Sequence, residues 1–220
     1  MLPAALTVLW HTRFSPIITE PDGTFKHFGR IYLRAFKDEA EMEVWATEGE
    51  SIKYKRVAIW PIAAMSGHLG PKRKQGDLQV PEGCYKVEKY NPNSAYHLSM
   101  GINYPNDSDK VRSDPLAPGS DIFIHGNAVS AGCMAMTDPV IDKLYALCQG
   151  SMHPDEVRVH IFPFRMHTAK YKDLIRQAEW PEARLWKELL PIYSSFEKNH
   201  RMPIVNVMPD GTYSMINQDW

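Results

Sequence analysis

Short apolar runs interrupted by polar residues dominate the first three quarters of the chain, a pattern typical of β-strands. In the clearest example, Met42 to Ala46 alternates apolar and polar positions and is expected to pair with Ile31 to Phe36 across an acidic turn. Strands are predicted at residues 31–36, 42–46, 57–60, 83–87, 96–100, 121–125 and 157–162. The sequence Asn91 to Ser94 predicts a turn, and the polar segment 104–119 predicts a long loop.

Helical periodicity begins only after residue 137. Apolar side chains at helical spacing predict a helix that Asp138 caps, with Pro139 at its first position. They are Ile141, Leu144, Tyr145 and Cys148. Two further helices are predicted at 171–178 and 181–200, the second kinked at Pro191, followed by a hairpin at 205–215.

These elements together predict an α+β fold in a single domain spanning residues 1–220. A β-rich core occupies about residues 30–166, and a helical and hairpin extension at 167–220 packs on it. We expect the extension to belong to the same domain because no linker precedes it.

Composition narrows the functional classes. The chain has 220 residues, with 25 Lys and Arg against 26 Asp and Glu, and it is 44% hydrophobic. This near-neutral balance argues against a nucleic-acid partner, whose binding proteins carry a basic excess. No apolar run reaches the ~20 residues of a transmembrane segment. The apolar stretch Met1 to Trp10 lacks a cationic start and an Ala-x-Ala site, so a trimmed signal, a first strand and a packed tail all stay open.

Three cysteines limit the available chemistry. Cys84, Cys133 and Cys148 are odd in number and form no Cys-x-x-Cys pair, so neither a disulfide framework nor a zinc site of usual spacing is expected. The helical pattern places Cys148 in the core, and the strand pattern places Cys84 in a strand. Cys133 is different, because it follows a loop of small residues.

His125 ends a predicted strand, and the short connection to Cys133 can bring the two side chains together. An imidazole that accepts the thiol proton creates a nucleophile. Gly132 lets the backbone approach an acyl group, and the N–H groups of Cys133 and Gly132 are candidates for an oxyanion hole. Ser130 is placed to hydrogen-bond within the loop or to substrate.

Three other interpretations of the same residues stay open at this point. His125 fits an ordinary hydrogen-bonded histidine, and Cys133 fits a small core residue after a bare turn. A metal site would need a third ligand such as His97 or His160, and the ligand spacing is not that of a known site.

The segment 124–136 resembles the active-site motif of the L,D-transpeptidase (YkuD-type) catalytic domain family, His-Gly followed by Ser-x-Gly-Cys. Further stretches, in the same order, resemble the YafK-like branch of that family, over about residues 50–166. These stretches are Pro81–Tyr85, Asn91–Ser94, Leu98–Ser99, Asn103–Asn106, Thr137–Asp138 and Ile161–Met166. Several motifs in one order make a chance match improbable.

The resemblance implies a β-rich enzyme that acts on peptidoglycan stem peptides at the L-centre of meso-diaminopimelate. The family forms a thioester and passes the acyl group to an amine or to water, without a cofactor or metal. It implies that Cys133 is the nucleophile and His125 the base, with Gly132 and Cys133 at the oxyanion hole. The carbonyl of Gly126 would orient the imidazole. A periplasmic or secreted location also follows from the resemblance.

One departure from the family concerns the residue two positions after the cysteine, where Ala135 replaces the arginine of many relatives. Any contact made by that arginine is absent here. Substrate contacts are predicted for Asn127, Tyr104, His97 and Lys72, with no nucleic acid and no transmembrane segment.

Two activities compete within this family assignment, transpeptidation and hydrolysis, the former including attachment of a protein to the wall. The short loop of small residues between His125 and Cys133 is a poor lid over a thioester, and this and Ala135 favour hydrolysis. The long loop 104–119 is an alternative cover for the site. A catalytically inactive wall-binding module and a secreted wall-targeting toxin are the alternatives.

Overall fold

The computed structural model describes residues 27–178 and 182–216. Eleven strands are present in these ranges: β1 Ile31–Phe36, β2 Glu41–Ala46, β3 Lys55–Pro61, β4 Ala64–Met65, β5 Gly83–Ser94, β6 His97–Ile102, β7 Phe123–His125, β8 Met134–Ala135, β9 Arg158–Phe162, β10 Ile204–Val207 and β11 Tyr213–Ile216. The α-helices are α1 Asp107–Arg112, α2 Asp138–Gln149, α3 Ala169–Gln177 and α4 Glu182–Asn199. The expectations for Met1 to Trp10 lie outside the described residues.

Nine of these strands form one mixed sheet, in the order β3-β2-β1-β9-β5-β6-β7-β8-β4. Most neighbours are antiparallel, but β1 pairs with β9, and β7 with β8, in parallel. Strands β10 and β11 form a separate hairpin. The predicted α+β fold class is therefore confirmed. None of the helices in the described ranges is both long and apolar enough to span a bilayer.

The predicted turn at Asn91 to Ser94 is wrong. Strand β5 continues to Ser94, and the chain reverses at residues 95–96. Pro92 lies where the β5–β6 register shifts between Asn91 and Ser94. A proline is tolerated there because a register shift needs no ladder hydrogen bond from it.

The predicted loop 104–119 contains the short helix α1. Asn106 caps it, because its side chain accepts the Asp109 N–H while the Asp109 carboxylate accepts the Asn106 N–H. This reciprocal arrangement satisfies two amides at the helix start. The capping pair therefore explains a helix in a polar segment without an apolar stripe.

Helix α2 begins as predicted but with a different cap. Thr137, at φ +69°, is the N-cap residue, and its side chain makes no capping hydrogen bond. The Asp138 carboxylate instead accepts the Asn127 N–H at 2.7 Å. Helix α2 buries Ile141 and Leu144 in the main core on one face of the sheet.

The C-terminal extension packs against the sheet and shares a second apolar cluster with it. Helix α4 buries Leu185, Trp186 and Leu189 in this cluster. The sheet side contributes Phe162, the last residue of β9, and Phe164 just after it. Helix α4 continues through Pro191 to Asn199. The extension is thus covered on its apolar side by the sheet.

An ionic cluster fixes α4 to the sheet. Arg34 of β1 is fully buried and contacts Glu43 at 3.2 Å and Glu197 of α4 at 2.7 Å. Arg165 also contacts Glu43, at 2.7 Å. Burial raises the pKa of Glu43, but Arg34 and Arg165 outweigh it, so the net pKa lies below the ordinary value. Glu43 therefore stays ionised between two buried or half-buried cations.

Glu43→Ala is expected to lower the free energy of unfolding by about 3 kcal/mol, because it removes the buried carboxylate that Arg34 and Arg165 share and leaves Arg34 with Glu197 alone. Urea unfolding at neutral pH measures this. Lys55→Ala, which removes the exposed pair with Glu48, is the matched control and should cost about 1 kcal/mol or less. Because the pKa of Glu43 is lowered by folding, its contribution holds above the ordinary carboxyl pKa and fades in acid. Equal effects of the two substitutions would contradict this account.

Candidate active site

His125 ends β7 with its ring buried, and one ring nitrogen is already engaged. Nδ1 lies 2.6 Å from the carbonyl oxygen of Gly126. A carbonyl only accepts, so Nδ1 is the protonated nitrogen and Nε2 carries the lone pair in the neutral ring. Burial lowers the pKa of His125, although the Gly126 carbonyl acts in the opposite direction. The ring is therefore neutral at pH 7 and able to accept a proton at Nε2.

Gly126 occupies a space that no larger residue fits. A Cβ there would lie 2.6 Å from Asp138 Oδ1 and 2.6 Å from the Tyr96 carbonyl oxygen. The same Asp138 carboxylate accepts the N–H of Asn127, whose φ is +62° and whose side chain is exposed. The turn after His125 is thus held close to α2 and the β5–β6 turn.

The parallel pairing of β7 with β8 joins the strand that ends at His125 to the strand that begins directly after Cys133. His125 is opposite Ala135, so Cys133 precedes its paired position by two residues. The half-buried thiol accepts the Phe123 N–H at 3.4 Å and donates to the Asp121 carbonyl at 3.6 Å. Within the described residues it makes no hydrogen bond to His125.

The electrostatics favour a neutral thiol beside a neutral imidazole. Burial raises the pKa of Cys133 above its ordinary value, although the Phe123 N–H acts in the opposite direction. Lys72 also lowers the pKa of the thiol, but less than burial raises it. A preformed thiolate–imidazolium pair is therefore not favoured, and proton transfer would accompany attack on a substrate.

The loop before Cys133 is held by two serine side chains. Gly132 has φ +104°, which glycine tolerates, and its N–H donates to Ser66 Oγ at 2.6 Å. Ser130 Oγ donates to the Cys133 carbonyl at 2.7 Å. The prediction that the Gly132 N–H is an oxyanion donor is not met in this arrangement, because Ser66 already accepts that proton. Ser130 does hydrogen-bond within the loop, as predicted.

Lys72 is close enough to Cys133 to act on its pKa, and Lys72 and Tyr104 both have internal partners. The buried Lys72 Nζ contacts Asp77 Oδ1 at 2.5 Å and lies 5.9 Å from the centre of the Tyr104 ring. The Tyr104 hydroxyl donates to the Pro118 carbonyl at 2.9 Å. Lys72 is therefore held by its own surroundings, and its positive charge acts on Cys133 by lowering the pKa of the thiol.

His97 points to solvent and pairs with Asp142 of α2 at 2.7 Å, and this hydrogen bond raises its pKa. Its neighbour Tyr96 instead covers the His125 ring, with ring centroids 4.7 Å apart at 36°. Sequence analysis missed Tyr96 and Ser66. No local pattern marks either one, because their importance depends on strand pairing.

A groove of about 610 Å³ reaches Ser66, which hydrogen-bonds the loop before Cys133. It is lined by residues 37, 38, 40 and 62–69, between the β1–β2 turn and the sheet edge at β4. A larger cavity, about 850 Å³, lies between the end of α4 and the β10–β11 hairpin and contains none of the predicted site residues. The described part of the chain brings no three His, Cys, Asp or Glu side chains together as a metal site.

A neutral histidine at the end of β7, a cysteine directly before β8 and a loop held by two serines form a candidate site for cysteine acyl transfer. The family model described as "L,D-transpeptidase catalytic domain" (YkuD) matches residues 32–161. The chain therefore belongs to the YkuD L,D-transpeptidase catalytic domain family.

A curated relative is the candidate L,D-transpeptidase YafK of Escherichia coli strain K12. It is 34% identical over 187 residues, which cover 83% of this chain and 72% of the relative. The YafK protein of strain O157:H7 matches equally well.

Solved structures are more distant. The helical cell shape determining protein Pgp2 of Campylobacter jejuni is 21% identical, with a TM-score of 0.49, over 63% of this chain and 51% of Pgp2. The chain thus matches about half the length of that protein. Bd1075 of Bdellovibrio bacteriovorus is 23% identical, with a TM-score of 0.45, over 81% of this chain and 65% of Bd1075.

Limiting iodoacetamide is expected to alkylate Cys133 before Cys84 and Cys148. Burial raises the pKa of all three thiols, and by far the most for Cys84 and Cys148. Because the Cys133 thiol is neutral at rest, its alkylation rate should rise about tenfold per pH unit between about pH 6 and pH 8. Peptide mapping gives the site and the rate. A rate that is flat below neutral pH would reveal a preformed ion pair instead.

Proposed function

We propose that this chain is a cysteine-dependent L,D-transpeptidase-family enzyme that cleaves peptidoglycan stem peptides at the L-centre of meso-diaminopimelate. The observation that supports it most is the pairing of β7 with β8. That pairing joins the strand that ends at His125 to the strand that begins directly after Cys133, and His125 Nδ1 hydrogen-bonds the Gly126 carbonyl. Family membership supplies the substrate class.

The proposed reaction begins when the Cys133 sulfur attacks the substrate carbonyl. The thiol proton passes to His125 Nε2 as the sulfur–carbon bond forms. The Cys133 N–H is the proposed donor to the developing oxyanion. His125 then protonates the departing amine, and the carbon–nitrogen bond breaks to leave a thioester. In the second half, His125 deprotonates water or an amine, which attacks the thioester and releases the thiol.

The substrate contacts proposed from sequence are Asn127, Tyr104, His97 and Lys72. Asn127 is the best placed, because it is exposed beside His125. For Lys72 the proposal becomes electrostatic, since its ammonium already contacts Asp77. To contact substrate, Tyr104 would have to give up its hydrogen bond to the Pro118 carbonyl. His97 would likewise have to give up its hydrogen bond to Asp142.

Hydrolysis is the favoured outcome of the thioester. Residues 127–129 and 131 are exposed, so the connecting loop does not cover the acyl site against water. Ala135 is fully buried at the position where many relatives have arginine. The products would be released groups formerly joined to diaminopimelate, including wall-attached protein. We place this activity in the periplasm or outside the cell.

His125→Ala is expected to lower turnover of purified wall peptides by about 10²–10⁴-fold, because it removes the general base. In the wild type, burial lowers the pKa of His125, so the acid limb of kcat/KM should have its midpoint below about 6.5. His153→Ala, which removes a histidine paired with Glu50 away from the site, is the matched control. Mass spectrometry of products measures both. A folded His125→Ala chain with normal turnover would refute the assigned base.

Hydrolysis and transfer are separated by offering wall peptide with excess D-amino acid in ¹⁸O-labelled water. We expect label in the released carboxylate, because water reaches the thioester across the exposed loop. Cys133→Ala serves as the blank. Predominant D-amino acid exchange with little label would make transpeptidation the main activity. A chain that binds wall fragments but does not convert them would favour the alternative of an inactive wall-binding module.

A further inference from the structure

Ser66 lies directly opposite the proposed nucleophile although it is far from it in sequence. Strand β4 pairs antiparallel with β8, with Ala64 opposite Ala135 and Met65 opposite Met134. Continuing this register by one residue brings Ser66 to the level of Cys133. The position is therefore set by the sheet and not by the loop around the cysteine.

The hydrogen bonds of Ser66 join two loops at this point. Its half-buried hydroxyl accepts the Gly132 N–H at 2.6 Å and donates to the Leu78 carbonyl at 2.6 Å. Its oxygen is 3.3 Å from that of Ser130, whose own proton goes to the Cys133 carbonyl at 2.7 Å. Each hydroxyl has one proton, so both are committed to carbonyl groups. The two serine oxygens are therefore in contact, but neither hydroxyl donates a hydrogen bond to the other.

We infer that Ser66 is a positioning residue of the acyl-transfer site, which orients the Cys133 amide toward the oxyanion. This inference rests on the proposed role of Cys133 as nucleophile. Ser66 holds the Ala131–Gly132 peptide group through the Gly132 N–H, and Ser130 holds the Cys133–Met134 peptide group through the Cys133 carbonyl. The Gly132–Cys133 peptide group, which carries the Cys133 N–H, lies between these two. Fixing both ends leaves the Cys133 N–H little freedom of direction. Ser66 also borders the groove of residues 62–69, so a substrate lying there would meet it.

A positioning role predicts different effects on two reactions of the same thiol. Acylation by p-nitrophenyl acetate forms a sulfur–carbon bond, expels p-nitrophenolate and passes the thiol proton to His125, with an oxyanion on the path. Alkylation by iodoacetamide displaces iodide and forms no oxyanion. Ser66→Ala should slow acylation of Cys133 about 10- to 100-fold, while alkylation stays within about threefold of the wild type.

The comparison includes Ser66→Thr, which keeps the hydroxyl, and Ser194→Ala, an exposed serine on α4. Both should be acylated at close to the wild-type rate. Thermal unfolding checks that each variant is folded, and Ser66→Gly replaces Ser66→Ala if the latter is not. Equal slowing of acylation and alkylation, no slowing of either, or a folded Ser66→Thr as slow as Ser66→Ala would overturn the inference.

The ester also separates this inference from the proposed function. A wild-type chain that the ester acylates at Cys133, but that leaves wall peptides intact, contradicts the proposed substrate while the Ser66 comparison remains valid. A wild-type chain whose Cys133 the ester does not acylate contradicts both.

Discussion

The parallel pairing of two very short strands is the constraint on which the whole candidate site depends. Strands β7 and β8 contain only three and two residues, yet their pairing joins the strand that ends at His125 to the strand that begins directly after Cys133. Strand β6 supports this pair on one side, with Ser99 opposite His125, and β4 supports it on the other. Short strands have few hydrogen bonds of their own, so the flanking strands and the Ser66 and Asp138 side chains must hold them.

Burial then decides how the pair reacts. It lowers the pKa of His125 and raises that of Cys133, so the resting site holds no charge separation. The thiol hydrogen-bonds the backbone of residues 121 and 123, and it makes no hydrogen bond to the imidazole. In the proposed reaction, the thiol turns toward a bound substrate carbonyl and its proton passes to His125 Nε2 during attack.

Local patterns predicted most of the core strands, α2, α4 and the final hairpin. The His125–Cys133 segment was also visible, because both residues fall in one stretch of sequence. The turn at Asn91 to Ser94 was misplaced because a register shift accommodates Pro92. Ser66 and Tyr96 could not be predicted, since each reaches the site only through long-range pairing. The burial of Arg34 could not be predicted from local sequence either, because its partner Glu197 is 163 residues away along the chain.

The most direct test of the account is the intact mass of the protein quenched in acid soon after mixing with a purified wall peptide. The account predicts an adduct with the mass of the acyl portion of the stem peptide, mapped to Cys133 and released by hydroxylamine. It should be absent from Cys133→Ala and present in Cys84→Ala, because Cys84 lies in β5 outside the site. Turnover of the peptide by Cys133→Ala, or an adduct on another residue, would contradict the account.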